Sequence, residues 1–140
     1  MPMPYTYRHA TEEFRAYIAD AKDRLDTPSD NVAYTATDAV FQTFRRRLAV
    51  QDALRFADVL PCVLRAVFLW RWKIADPVAF ASRDELTAEA LAIRAHHNFA
   101  PPTLIGDVAW ALRRHVDTTE FTRTLAQLGP EAQAFWAPGE

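Results

Sequence analysis

The feature that most constrains what this chain can fold into is a pattern written twice. Phe44-Arg45-Arg46-Arg47-Leu48 leading to Leu60-Pro61 returns as Leu112-Arg113-Arg114-His115-Val116 leading to Leu128-Gly129-Pro130. With a shift of 68 positions, residues 36–68 lie on 104–136 without a gap. In that register Val40, Arg45, Arg46, Arg55, Leu60 and Ala66 meet identical partners, where composition alone would give about two matches. The apolar periods and proline breaks recur in the same order, as a duplicated helical unit requires. Such a repeat describes architecture rather than chemistry.

With 3 Gly and 9 Pro in 140 residues, most of the prolines beside periodic segments, the composition suits helices joined by short connections. The chain is half apolar, and at this length roughly two thirds of the unfolded surface can be buried, so one domain needs no staples. The predicted fold is all-α: a single helical-bundle domain over 1–140, built from two tandem, similar multi-helix units. Unit one covers about 11–72, a linker about 73–81, and unit two about 82–137.

Thr11 is a good N-cap for a first helix with the inner stripe Phe14, Tyr17, Ile18, Ala21 and Leu25. Thr27-Pro28 reads as a second start, Thr27 capping and Pro28 in the first turn. Val32, Ala36, Val40 and Phe44 carry that helix into the arginines. A third helix, 51–59, would bury Ala53, Phe56 and Ala57, and Leu60-Pro61 would open a fourth. That fourth helix is apolar nearly all round, which predicts a central element or one that meets a partner.

After the linker, Ser82 and Glu85 form a capping box ahead of Leu86, Ala90, Ile93 and His97. Pro102 would begin the next helix, with Leu104, Ile105, Val108, Ala111 and Leu112 inside. A helix with Phe121, Leu125 and Leu128 follows, and Gly129-Pro130 opens a last segment with Phe135 and Trp136. The two units are expected to pack through the fourth and last apolar segments.

A net charge of -2 and a pI near 6.1 give no general attraction to phosphate backbones, so nucleic acid is not an expected partner. The lone Cys62 has no disulfide partner and no second thiol for a metal site, which fits a reducing, cytoplasmic setting. No basic segment followed by a long apolar run opens the chain. The longest apolar stretch, 66–70, is far short of the ~20 residues that span a bilayer, so no membrane role is expected.

The run Ala39-Val40-Phe41-Gln42-Thr43-Phe44-Arg45-Arg46-Arg47-Leu48, then 53–56, Val59-Leu60-Pro61 and the aromatic close Phe68-Leu69-Trp70-Arg71-Trp72 resembles the bacterial domain of unknown function family 2267. The resemblance covers roughly residues 11–136 and is closer in the first half. It implies a small, all-helical bacterial cytoplasmic protein made of two similar units, with no established activity, cofactor or catalytic residue. The second half departs from the pattern at Gly129 and at Pro101-Pro102.

Little in the chain points to catalysis. His96-His97 and Glu89 lack the several Glu and Glu-x-x-His ligands of a bundle metal site and read as structural. Cys62 could be paired with His115 or His97, yet a cysteine beside Pro61 at a helix start reads as a packed residue. No Gly-rich phosphate loop or Gly-x-Ser-x-Gly occurs. No enzyme, cofactor or metal is expected.

Arg45, Arg46 and Arg47 fan out over about 200° of helix and cannot all be buried. They are expected to cap the helix end and pair with acids such as Asp52, Asp58 and Glu120. A sharper reading makes Arg45 and Arg46, with Arg113 and Arg114, two matching basic patches for an acidic protein surface or another anion. Trp70-Arg71-Trp72 joins aromatics to a cation, the composition of interface hot spots, and is the first choice for a protein contact. The expected role is a protein-interaction or scaffold module, possible homo-oligomers included. The alternative is a bundle that binds a small apolar ligand in gaps among Phe44, Phe56, Phe68 and Trp110.

Overall fold

Helical spacing of apolar residues sets the elements. The computed structural model describes residues 1–139. Among them are nine α-helices and no strand: α1 (Tyr5–Arg8), α2 (Ala10–Leu25), α3 (Asp30–Arg45), α4 (Val50–Asp58), α5 (Cys62–Leu69), α6 (Arg83–Ala92), α7 (Leu104–Arg113), α8 (Thr118–Leu128) and α9 (Pro130–Phe135). The protein is all-α, as its composition predicts. Among the described residues no helix is long and apolar enough to cross a membrane.

The predicted stripes fall on the core side. Tyr17, Ile18, Ala21 and Leu25 are buried on α2, Ala53, Phe56 and Ala57 on α4, and Leu104, Ile105, Val108, Ala111 and Leu112 on α7. The Ser82 hydroxyl accepts from the Glu85 amide at 3.2 Å, holding the start of α6. Pro130 stands at the start of α9, where no amide hydrogen is needed.

Several ends lie elsewhere than the pattern suggests. The cap of α3 is Ser29, whose hydroxyl accepts from Val32 at 3.2 Å, while Thr27 accepts from the Ser29 amide. Pro28 stays outside the helix because Ser29 offers its hydroxyl one residue before Asp30, an acid suited to the first turn. The chain enters α2 through α1 and His9 rather than at Thr11. Helix α6 stops at Ala92, short of Ile93 and His97, because Asn98 Nδ2 donates to the freed carbonyls of Ala90 and Ile93 at 3.0 and 3.1 Å. Pro102 lies in the turn before α7.

The central element is α3, not α5. Helix α3 packs on α2, α5, α6 and α7 and buries Ala33, Ala36, Ala39, Val40, Phe41 and Phe44. On α5 only Leu64 and Phe68 are buried; a short helix at the edge of the bundle shields one face and leaves the rest half-covered. Phe68 and Trp136 both meet Phe41, with ring centres 5.3 and 6.0 Å away.

Some helix limits fall 68 residues apart, while α8 ends two residues after and α9 two residues before the positions that step would give from α4 and α5. Helices α3 and α7 end at Arg45 and Arg113, α4 and α8 start at Val50 and Thr118, and α5 and α9 start at Cys62 and Pro130. The step breaks at the start of α7, which has 10 residues against 16 in α3, and the missing turns fall where Pro101-Pro102 stand. Helix α2 packs on α7 and α6 packs on α3, so each of these helices lies against the arginine-ended helix of the other half.

The apolar pocket expected among Phe44, Phe56, Phe68 and Trp110 is closed. Phe44, Phe56 and Phe68 are fully buried, with ring centres 4.9 Å apart for Phe44 and Phe56 and 5.0 Å for Phe56 and Phe68. Trp136 stacks on Phe56 at 5.3 Å. Aromatic rings at such separations gain from both burial and edge or offset contact, which leaves no room for a ligand. Trp110 is half-buried, with the guanidiniums of Arg24 and Arg114 5.1 and 5.0 Å from its ring centre.

Candidate functional site

Helix α3 is apolar on its inner face, and its other side carries Tyr34, Asp38 and Gln42 at steps of four, which align them in one row. The row runs into Arg45 and Arg46. Trp70, Arg71 and Arg94 close over it, and Tyr34, Asp38, Gln42, Arg45, Trp70, Arg71 and Arg94 line one cleft of about 550 Å³. An adjoining cleft of about 390 Å³ shares Gln42, Arg45 and Arg71 and adds Arg46, Trp72, Lys73, Ala75, Asp76 and Val78.

Arg45 is the floor of this site. It is buried, and its Nη1 donates to the carbonyl oxygens of Phe68 at 2.7 Å and Trp70 at 3.4 Å. Its guanidinium lies 5.6 Å from the ring centre of Trp72. Burial pulls the Arg45 pKa down, against the opposing charge of Asp38. Asp38 is itself pushed above the ordinary carboxylate value by burial, opposed by the hydrogen bond from Gln42 Nε2 at 2.9 Å and by the charges of Arg45 and Arg94.

The rim differs from the floor. Arg46 is exposed and paired with Glu89 at 3.0 Å, and Arg47 meets the same carboxylate. Arg71 lies 5.2 Å from the ring centre of Trp70, which is 59% exposed. Arg71, Lys73 and Arg94 are exposed and, among the described residues, form no ion pair and no side-chain hydrogen bond. Arg71 and Arg94 each have a φ of 52°. Both follow a helix end, a place where the left-handed conformation usually falls to glycine or asparagine.

Thus Arg45, Arg46, Trp70, Arg71 and Trp72 come together, while Arg113 and Arg114 line neither cleft. Arg113 Nε donates to the Trp136 carbonyl at 2.8 Å, its guanidinium lies 5.2 Å from the Phe121 ring centre, and burial lowers its pKa. Arg114 pairs with Asp20 at 3.2 Å. At the matching place in the second half, Gly139 donates to the Gly106 carbonyl at 3.1 Å and accepts from Arg24 at 2.8 Å. A Cβ on Gly106 would stand 2.9 Å from the Gly139 Cα, so the tail lies directly on that helix. The counterparts Asp38 and Arg71 instead line open space.

The other candidate residues lie outside the two clefts. Glu89 is held by Arg46 and Arg47. His96 and His97 are exposed on the turn after α6. Half-buried Cys62 takes its amide hydrogen bond to Thr6 Oγ1 at 2.9 Å, and its Sγ lies 3.4 Å from the Thr6 carbonyl oxygen. His115 Nε2 lies 2.6 Å from Asp20 Oδ2. For Asp20, burial would raise the pKa, but hydrogen bonds from His115 and Arg114 carry it below the ordinary value. Among the described residues no three His, Cys, Asp or Glu side chains are placed to hold a metal ion.

Tyr34, Asp38, Gln42, Lys73 and Arg94 are site residues that motif reading passes over. A polar row at steps of four on an otherwise apolar helix was the available signal for the first three. Arg94 carries no such signal, since only the packing of α6 on α3 brings it to the cleft. The assembled side chains offer positive charge, hydrogen-bond donors and two indole faces, the chemistry of holding an anion.

One family model matches the chain over residues 14–135, and its description is "Uncharacterized conserved protein (DUF2267)". No curated protein matches it.

Proposed function

The chain belongs to the DUF2267 family, whose description names no activity, and we propose that it is a non-enzymatic interaction module whose α3 cleft takes an acidic segment of a partner protein. The observation that carries this reading is the pair Arg71 and Arg94: two exposed guanidiniums on one cleft, on left-handed residues and, among the described residues, without an ion pair or a side-chain hydrogen bond. Arginine clusters of this kind recognise acidic motifs by charge-assisted, forked hydrogen bonds. Exposed Trp70 adds a flat apolar face of the sort that anchors interfaces. With a net charge of -2 the chain offers no general attraction to anions, so binding would rest on local positive charge such as this cleft carries. The single free cysteine supports a reducing, cytoplasmic setting.

A hexaglutamate peptide tests the reading, with Trp70 and Trp72 as fluorescent reporters. The expected result is saturable binding that weakens as salt rises and falls by about tenfold or more in the Arg71→Glu, Arg94→Glu variant. No binding up to ~1 mM peptide, or equal binding by that variant, overturns it.

A further inference from the structure

Resting on that reading of the cleft, we infer that the anion it takes is a phosphoryl group on the partner segment, which makes the site a reader of phosphorylation. Charge balance is the first ground. Among the described residues Arg45, Arg71 and Arg94 line one cleft with a single acid, Asp38, and that carboxyl is already hydrogen-bonded by Gln42. At least two positive charges stay unbalanced. A carboxylate supplies one negative charge, whereas a phosphoryl group supplies nearly two at neutral pH.

Donor geometry is the second ground. Arginine forks suit the several terminal oxygens of a phosphoryl group better than single ammonium points do. The lining includes Tyr34 and Gln42, and a volume of about 550 Å³ admits the tetrahedral group with the side chain that bears it. Trp70 beside Arg71 offers a face to the neighbouring residue.

Backbone conformation is the third ground. The 68-residue step that maps α3 on α7 also relates Arg94 to Asp26, and both are left-handed, with φ of 52° and 56°. Arg71 corresponds to Gly139 by the same step. Neither backbone position therefore requires arginine. Arginine stands at both positions that border the open cleft, Arg71 after α5 and Arg94 after α6, and among the described residues neither guanidinium has an ion pair or a side-chain hydrogen bond that would account for it.

The test uses the whole chain and four probes: an alanine peptide with a central phosphoserine, its glutamate twin, inorganic phosphate, and an oligothymidylate of similar length. The phosphopeptide is expected to bind about tenfold or more tighter than its twin, with inorganic phosphate competing weakly. Arg71→Ala and Arg94→Ala should each weaken it by about tenfold with an unchanged melting curve. Arg71→Lys, which keeps the charge and loses the fork, should narrow the gap between the two peptides. Equal binding of phosphopeptide and twin, with hexaglutamate still bound, overturns the phosphoryl inference and leaves the acidic-segment reading standing. Failure of both peptides and of hexaglutamate overturns both. Oligothymidylate bound as tightly as the phosphopeptide makes nucleic acid the partner, and inorganic phosphate bound as tightly makes a free anion the ligand; either overturns the inference.

Discussion

Arg45 donates to the carbonyl oxygen of Phe68 at 2.7 Å, and 68 positions later Arg113 donates to that of Trp136 at 2.8 Å, a span of 23 residues in each case. Each bond ties the end of the arginine-ended helix, α3 or α7, to the end of the short helix two elements on, and it satisfies a carbonyl that the short helix leaves free. The second arginine of each pair turns outward to an acid, Arg46 to Glu89 and Arg114 to Asp20. The paired arginines thus have a structural explanation in both halves, and only the first pair borders a cationic cleft, which Arg94 from the second half completes.

Removing the internal arginine should cost stability. Arg45→Met leaves the Phe68 carbonyl without its charged donor in a buried place, a loss of about 2–3 kcal/mol. Arg113→Met should cost about 1 kcal/mol, because Arg113 is half-buried and solvent replaces part of the bond. Urea unfolding of the two variants gives the comparison; equal, negligible shifts would show that the bonds do not hold the helix ends.

Trp136 separates packing from hydrogen bonding. It is fully buried against Phe41, Phe44, Phe56, Phe121 and Phe135, and among the described residues its indole Nε1 has no hydrogen-bond partner. Trp136→Ala should cost about 3–5 kcal/mol through lost burial and a cavity. Trp136→Phe loses no hydrogen bond and should cost about half of that or less. Thermal melts of the two variants check the order, and a phenylalanine variant as weak as alanine would refute it.

How legible this was in the sequence depended on the range of the interaction. Stripes such as Tyr17-Ile18-Ala21-Leu25 and caps such as Ser82 are local, so spacing found them. The end of α6 was not local: Asn98 folds back on Ala90 and Ile93 and stops the helix before the apolar period does. Helix α5 misled because apolar content all round does not distinguish a central helix from a short edge helix with half-covered side chains. For the cleft, Arg45, Arg46, Trp70, Arg71 and Trp72 stood out in the sequence. Arg94 and Asp38 did not, since tertiary packing brings the former in and burial gives the latter its character.

Asp38 predicts a pH dependence of stability. Burial raises its native pKa above the ordinary 3.8, with Gln42, Arg45 and Arg94 opposing. Its contribution is therefore fully present below the unfolded value and is lost as pH rises through the raised native value. Asp38→Asn should gain stability relative to the natural chain as pH climbs through that window. Asp20, whose pKa is lowered, has the reverse sign: its contribution is present above the unfolded value and is lost as pH falls through the lowered one. Asp20→Asn should therefore lose ground on the same climb. Urea midpoints measured across the acid range test the pair, and parallel pH profiles for both variants and the natural chain would contradict it.

Arg71 and Arg94 allow binding and stability to be separated. A non-glycine residue in the left-handed region costs about 1 kcal/mol, which glycine relieves at an entropic cost of similar size. Arg71→Gly with Arg94→Gly should therefore melt within about 1 kcal/mol of the natural chain while abolishing anion binding at the cleft. If these arginines instead served mainly to offset the negative ends of α5 and α6, the double variant would lose stability, by about 0.3–1 kcal/mol per helix end beyond the backbone balance. Arg71→Asn with Arg94→Asn removes the same charges but keeps a side chain tolerated in the left-handed region. Agreement between the glycine and asparagine variants in stability, with binding lost in both, would assign the arginines to the ligand rather than to the fold.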